Sequence, residues 1–108
     1  MKKWICIISA VALLVSLAAC GQKNADVSRQ EEAVALARRA EALLGPLDAL
    51  VCSAGVAARQ MLLTDLKAED WLWMERTDLD GVLWTMQGAI PGMVRRQQGA
   101  IVTVSSMW

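Results

Sequence analysis

Two short apolar runs limit what this chain can fold into. The first, Ala49-Leu50-Val51-Cys52, is led by Pro46 and Asp48 and closed by Ser53 and Gly55. The second, Ala100-Ile101-Val102-Thr103-Val104, ends in Ser105-Ser106. Neither alternates apolar with polar residues. Runs this short, without alternation, suit strands buried on both faces, as in a parallel sheet. A helical pattern precedes each run. The order helix, strand, helix, strand predicts an α/β unit whose two parallel strands are joined by a right-handed crossover.

The helical patterns carry their own punctuation. Ala33, Leu36, Ala37, Ala40, Leu43 and Leu44 recur at three and four and form one apolar stripe. Arg29, Glu32, Arg38, Arg39 and Glu41 fall off it and read as a solvated face. Ser28 and Glu31 have the spacing of a capping box, and Gly45-Pro46 is a stop signal. Val56 to Leu63 reads as a loop. Glu69-Asp70-Trp71 opens the second helical region, where Trp71, Met74, Leu79, Val82, Leu83, Met86, Ile90 and Met93 keep a helical rhythm. That rhythm is irregular from Thr77 to Asp80. The Met and Trp stripe reads as core. Gly81, Gly88 and Gly92 weaken the helix, and Pro91 predicts a bend or a break. Arg95-Arg96 suits a helix C-terminus.

Several function classes are excluded by composition. Eleven basic residues balance 11 acidic ones, so no charge excess points to nucleic acid. The sequence holds no His and no Tyr, which removes a His-based triad, a His metal site and a Tyr general acid from these residues. Cys6, Cys20 and Cys52 are too scattered for a zinc pattern, so no metal site is expected. Gly81, Gly88, Gly92 and Gly99 follow no strand-to-helix turn with the spacing of a phosphate loop.

The N-terminus has a different character. Met1-Lys2-Lys3 is positive, Trp4 to Ala19 is uncharged and apolar, and small residues precede Cys20. This predicts an N-terminal signal helix over residues 1–20, a tether over 21–25 and the α/β unit over 26–108. Leu17-Ala18-Ala19-Cys20-Gly21 resembles the lipobox of bacterial lipoproteins. That resemblance implies cleavage before Cys20, lipidation of its thiol and membrane lipid as a partner on the exported side of the plasma membrane. An uncleaved anchor is the other reading, since Trp4 to Gly21 is just long enough to span. Without use of the signal, the chain would be cytoplasmic.

From Ala25 onward the sequence resembles the middle of a short-chain dehydrogenase/reductase. Asp26-Val27-Ser28 is similar to the family's Asp-Val-Ser/Thr element. Gly45-Pro46-Leu47-Asp48-Ala49-Leu50-Val51 resembles the approach to its fourth strand, and Cys52-Ser53-Ala54-Gly55 stands where it has Asn-Asn-Ala-Gly. Thr77-Asp78-Leu79-Asp80-Gly81 resembles the segment containing Asn-Leu-x-Gly. Gly99 to Ser106 resembles the run into the fifth strand, with Ser106 at the catalytic Ser. The resemblance implies a partial Rossmann-like unit that uses NAD or NADP. Asp26 and Val27 would meet the adenine, Cys52, Ser53, Ala54 and Gly55 would line the cofactor, and Ser106 would hydrogen-bond the substrate oxygen. Asp78 would take the place of the Asn that supports a proton relay.

The departures are as informative. Cys52 and Ser53 replace paired Asn residues, and Asp78 replaces Asn. Neither the Gly-rich turn nor the Tyr-x-x-x-Lys pair of the family is in the sequence. Hydride transfer needs a proton donor whose pKa a Lys lowers, so the residues present are expected to be inactive alone. On the residues alone, Ser106 also reads as a strand-end Ser. A small lipoprotein using the α/β remnant for binding or dimerisation is the alternative function. Exposed strand edges would favour homo-oligomers, because the fourth strand is expected to lack its outer partner.

Overall fold

Residues 5–8 and 25–106 are described by a computed structural model. The first apolar run forms β2 (Ala49–Cys52) and the second forms β3 (Ala100–Thr103). They pair in parallel, with Leu50 opposite Ile101 and Cys52 opposite Thr103. A further strand, β1 (Ile5–Ile8), lies on the other side of β2, also parallel, with Ile5 opposite Ala49. The sheet order is β1-β2-β3.

This corrects two expectations. The sheet has three strands instead of a pair, and residues 5–8, expected within an N-terminal signal helix, are extended. Ile5, Ile7 and Ile8 are β-branched, which favours extended backbone. The outer edge of β2 would otherwise present unpaired N–H and C=O groups. The lipobox and Cys20 lie outside the described residues. Among the described residues, no helix is long and apolar enough to cross a membrane.

The stripe from Ala33 to Leu44 lies on α1 (Gln30–Leu44). Its end is as expected: Gly45 has φ 87°, and its N–H donates to the Glu41 carbonyl. Its start is not. The Ser28–Glu31 capping box does not form. The Ser28 N–H and Oγ both donate to Asp26 Oδ1, at 2.9 and 2.7 Å, and the Asp26 N–H donates to Glu32 Oε2. Asp26, two residues upstream, competes for the Ser28 hydroxyl and wins, which is the local turn chemistry available to Asp and Ser.

After a loop and a single 3₁₀ turn (Leu63–Asp65), the second helical region divides into three. These are α2 (Ala68–Glu75), a π-helical segment (Arg76–Asp80) and α3 (Gly81–Arg96). The predicted irregularity at Thr77 to Asp80 is therefore one wide turn. Of the two outcomes expected for Pro91, the break does not occur, because α3 continues through it to Arg96. Proline crowds the carbonyl four residues earlier and removes one N–H. Here Gln87, Ile90 and Pro91 lie on an exposed side, where water can take up the freed carbonyl.

The core is small. Leu36, Ala37, Leu47, Leu50, Cys52, Ala89 and Met93 pack together, with Ile101 against them. The helices α1 and α3 therefore cover the face of the sheet that carries Leu50 and Ile101. Val102, on the alternate face, is 53% exposed. Arg96 ties this core to the turn after α1: its guanidinium donates to the Leu47 carbonyl and, at 3.2 Å, to Glu41 Oε1. The ion pair is about a quarter exposed on each side, so solvent screening leaves it a minor share. Losing the bond to the carbonyl beside buried Leu47 costs more. Arg96→Met is expected to lower stability by about 1–3 kcal/mol, read as an earlier urea midpoint at constant slope. An unchanged midpoint would mean that water replaces the guanidinium at no cost.

Candidate functional site

In parallel sheets, ligands bind beyond the C-terminal ends of the strands. Two loops leave from that edge here, Ser53 onward from β2 and Val104 onward from β3. The Val104 N–H donates to the Cys52 carbonyl at 2.8 Å, so the ladder holds the two exits side by side.

Asp26 and Val27 reach this edge from the start of α1. Asp26 is exposed, and two hydrogen bonds to Oδ1 from Ser28 orient its carboxylate. Val27 packs on the first residue of α3: a Cβ on Gly81 would lie 3.0 Å from Val27 Cγ2 and 3.2 Å from its carbonyl oxygen. A side chain there would push the two segments apart by a few tenths of an ångström. A water-sized cleft results, lined by Val27, Cys52, Ala54, Thr77, Gly81 and neighbours on α3. The Thr85 hydroxyl lies buried against it and donates to the Gly81 carbonyl at 2.7 Å.

Asp78 joins the site from the π-helical segment. Its Oδ1 accepts the Val56 N–H at 2.8 Å. A Cβ on Gly55 would lie 3.6 Å from the same oxygen, an ordinary contact. Wide turns of this kind are frequent at functional sites. One turn earlier on α2, Met74 Sδ accepts the Ala58 N–H at 3.3 Å.

The structure thus gathers Val27, Cys52, Ala54 and Gly55 with Asp78, and sets Asp26 and Ser53 at their margin. Ser106 is exposed, two residues beyond the Val104 contact on the exit from β3. Cys20 lies outside the described residues. Thr77 and Gly81 line the cleft from the segment that resembles Asn-Leu-x-Gly. Met74, one turn before Asp78, touches the Ser53 loop at Ala58, and no sequence motif singles it out. Among the described residues, no group of three His, Cys, Asp or Glu side chains could hold a metal.

The donor set fits the adenine side of a dinucleotide. An exposed, oriented carboxylate at Asp26 can accept an exocyclic amino group. A pyrophosphate asks for a Gly-rich turn opening a helix, and among the described residues none of the three helices opens on one.

These features define a dehydrogenase-type α/β unit, and the sequence places it. Residues 14–108 match the short chain dehydrogenase family, and the chain belongs to that family. It is 36% identical over 84 residues to the 3-oxoacyl-(acyl-carrier-protein) reductase FabG of Staphylococcus aureus, a match covering 78% of this chain and 34% of the relative. An uncharacterized oxidoreductase of the same species is 33% identical over 85 residues, covering 76% of this chain and 35% of the relative. The chain therefore spans about a third of the length of the curated relatives it matches. Among solved structures, ElxO with NADP bound superposes with a TM-score of 0.71 at 33% identity, covering 76% of this chain and 33% of that one. Serine dehydrogenase from Escherichia coli superposes with a TM-score of 0.72 at 25% identity, covering 97% of this chain and 51% of that one. The Rossmann-like α/β fold and the oxidoreductase character of the family follow from these matches.

Proposed function

We propose that these residues form the central part of an NAD(P)-linked dehydrogenase site, competent to contact the cofactor but not to transfer hydride alone. The observation that carries this reading is the convergence of Val27, Cys52, Ala54 and Asp78 at the C-terminal edge of β2. Asp26 would accept the adenine amino group. The Cys52 to Gly55 backbone would line the ribose and nicotinamide side. Ser106 would hydrogen-bond the substrate oxygen, and Asp78 would stand in for the family's Asn. When bound, the nicotinamide cofactor supplies the hydride. The proton must come from another group, and the sequence contains no Tyr to give it.

Titration with NADPH, followed by its fluorescence, tests the binding half. A saturable signal that adenosine nucleotides displace is expected, and Asp26→Ala should weaken it. A flat titration would remove the reading. The catalytic half is tested by NADPH absorbance in the presence of a 3-oxoacyl thioester, the substrate class in the FabG relative's name. No decay above background is expected, and turnover would show that a proton donor has been overlooked.

The sequence Leu17-Ala18-Ala19-Cys20 favours one addition to this reading, a membrane anchor through lipid on Cys20. Palmitate labelling that survives Cys20→Ser would dispose of it. The outer edge of β3 (no strand pairs with it among the described residues) is where a second copy would add. Sedimentation as a monomer at all concentrations would exclude that partner.

A further inference from the structure

We propose that Met74 is a positioning residue, whose thioether sulfur fixes the loop that runs from Ser53 past the cleft. The inference rests on the cofactor reading above. Two alternate backbone N–H groups of that loop turn toward one side of the second helical region. Val56 donates to Asp78 Oδ1 at 2.8 Å, and Ala58 donates to Met74 Sδ at 3.3 Å. Met74 and Asp78 stand one turn apart across the junction of α2 with the π-helical segment. The loop is therefore held at two successive points against one helical face.

Beyond these two points the loop follows no helix or strand. Residues 53–59 have no regular secondary structure, and Ala57, Arg59 and Gln60 are exposed. Of the two acceptors, only Asp78 is expected from the family pattern. Met74 reads from sequence as a core methionine on an apolar stripe, and its sulfur is a weak acceptor. Yet the sulfur is part-buried, and an apolar side chain there would leave the Ala58 N–H without its partner. Because Ala54-Gly55 is the segment proposed to face the cofactor, a loop released at Ala58 would shift the backbone that lines it. Holding a ligand-facing backbone in place before binding is where such a contact acts.

The test uses the full chain and two readouts. In Met74→Leu, which preserves volume and removes the acceptor, the Ala58 amide should exchange its hydrogen about threefold to tenfold faster, the loss of one weak hydrogen bond. Protection of the β2 amides should stay unchanged. In the unsubstituted chain grown on selenomethionine, the Ala58 amide proton resonance should move because its acceptor atom changes. The Val56 resonance, bonded to oxygen, should move much less. This second readout needs no variant to fold. Equal exchange at Ala58 in both chains, or an Ala58 resonance indifferent to selenium, would overturn the role of Met74. The same Met74→Leu chain should bind NADPH about threefold to tenfold more weakly, in step with the exchange change. Faster exchange with unaltered binding would overturn the positioning role while leaving the contact. If the unsubstituted chain fails to bind NADPH, the cofactor reading falls, and exchange and resonance still decide whether Met74 holds the loop.

Discussion

Gly88→Val is expected to destabilise this chain strongly, with a large fall in its urea midpoint. A Cβ at Gly88 would lie 2.7 Å from the Val34 carbonyl oxygen and 2.8 Å from Ala37 Cβ, both on α1. One is backbone and the other is the end of its side chain, so neither can swing away. The two helices meet through small residues, Ala33 and Ala37 on α1 and Gly88 and Ala89 on α3, and all four are buried. Overpacking at such a contact costs about 1–3 kcal/mol and sometimes more. Valine adds two further methyls in the same direction. Alanine at this position should cost less, since about 1 kcal/mol returns from helix propensity. Because domains of this size are stable by only about 5–15 kcal/mol, the valine variant should lose a large share of that and its urea midpoint should fall well below that of the alanine variant. A valine variant with the original midpoint would mean that α1 and α3 do not approach here.

Leu50→Ala is the second large effect, expected at about 2–5 kcal/mol. Leu50 is fully buried in β2, at the centre of the sheet order, and packs with Leu36, Leu47 and Met93. Truncation leaves a cavity that the surrounding core is too small to close. The comparison that gives the measurement its meaning is Val102→Ala on β3. Val102 is 53% exposed on the uncovered face and should lose well under half as much. Similar losses at both positions, read from urea midpoints, would contradict the one-sided core.

That one-sided core bears on the family relationship. The two helices cover the Leu50 and Ile101 face, while Val102 and Val104 stay exposed, as do Leu79, Leu83 and Val94 on the outer side of the second helical region. The sequence reading expects both strands to be buried on two faces, and Val102 and Val104 depart from that. It does not anticipate β1. The segment Ile5–Ile8 reads most naturally as part of a signal, because its flanking charge and length match one. Nothing local in it specifies pairing with Ala49–Cys52.

What the sequence determined by itself was the order helix, strand, helix, strand from Gln30 onward, the stop at Gly45, the broken rhythm from Thr77 to Asp80 and the family motifs from Asp26 to Ser106. Each depends on spacing within a few residues or on backbone freedom at one position, and both can be read along a chain. Only the tertiary structure decided that Ser28 serves Asp26 instead of capping α1, and that α3 passes through Pro91. It alone also decided that Val27 sits on Gly81 and that Met74 holds Ala58. These outcomes are competitions between partners. Most of the partners lie far apart in sequence, and the winner is set by which surfaces the packed helices and sheet bring within hydrogen-bond or van der Waals reach.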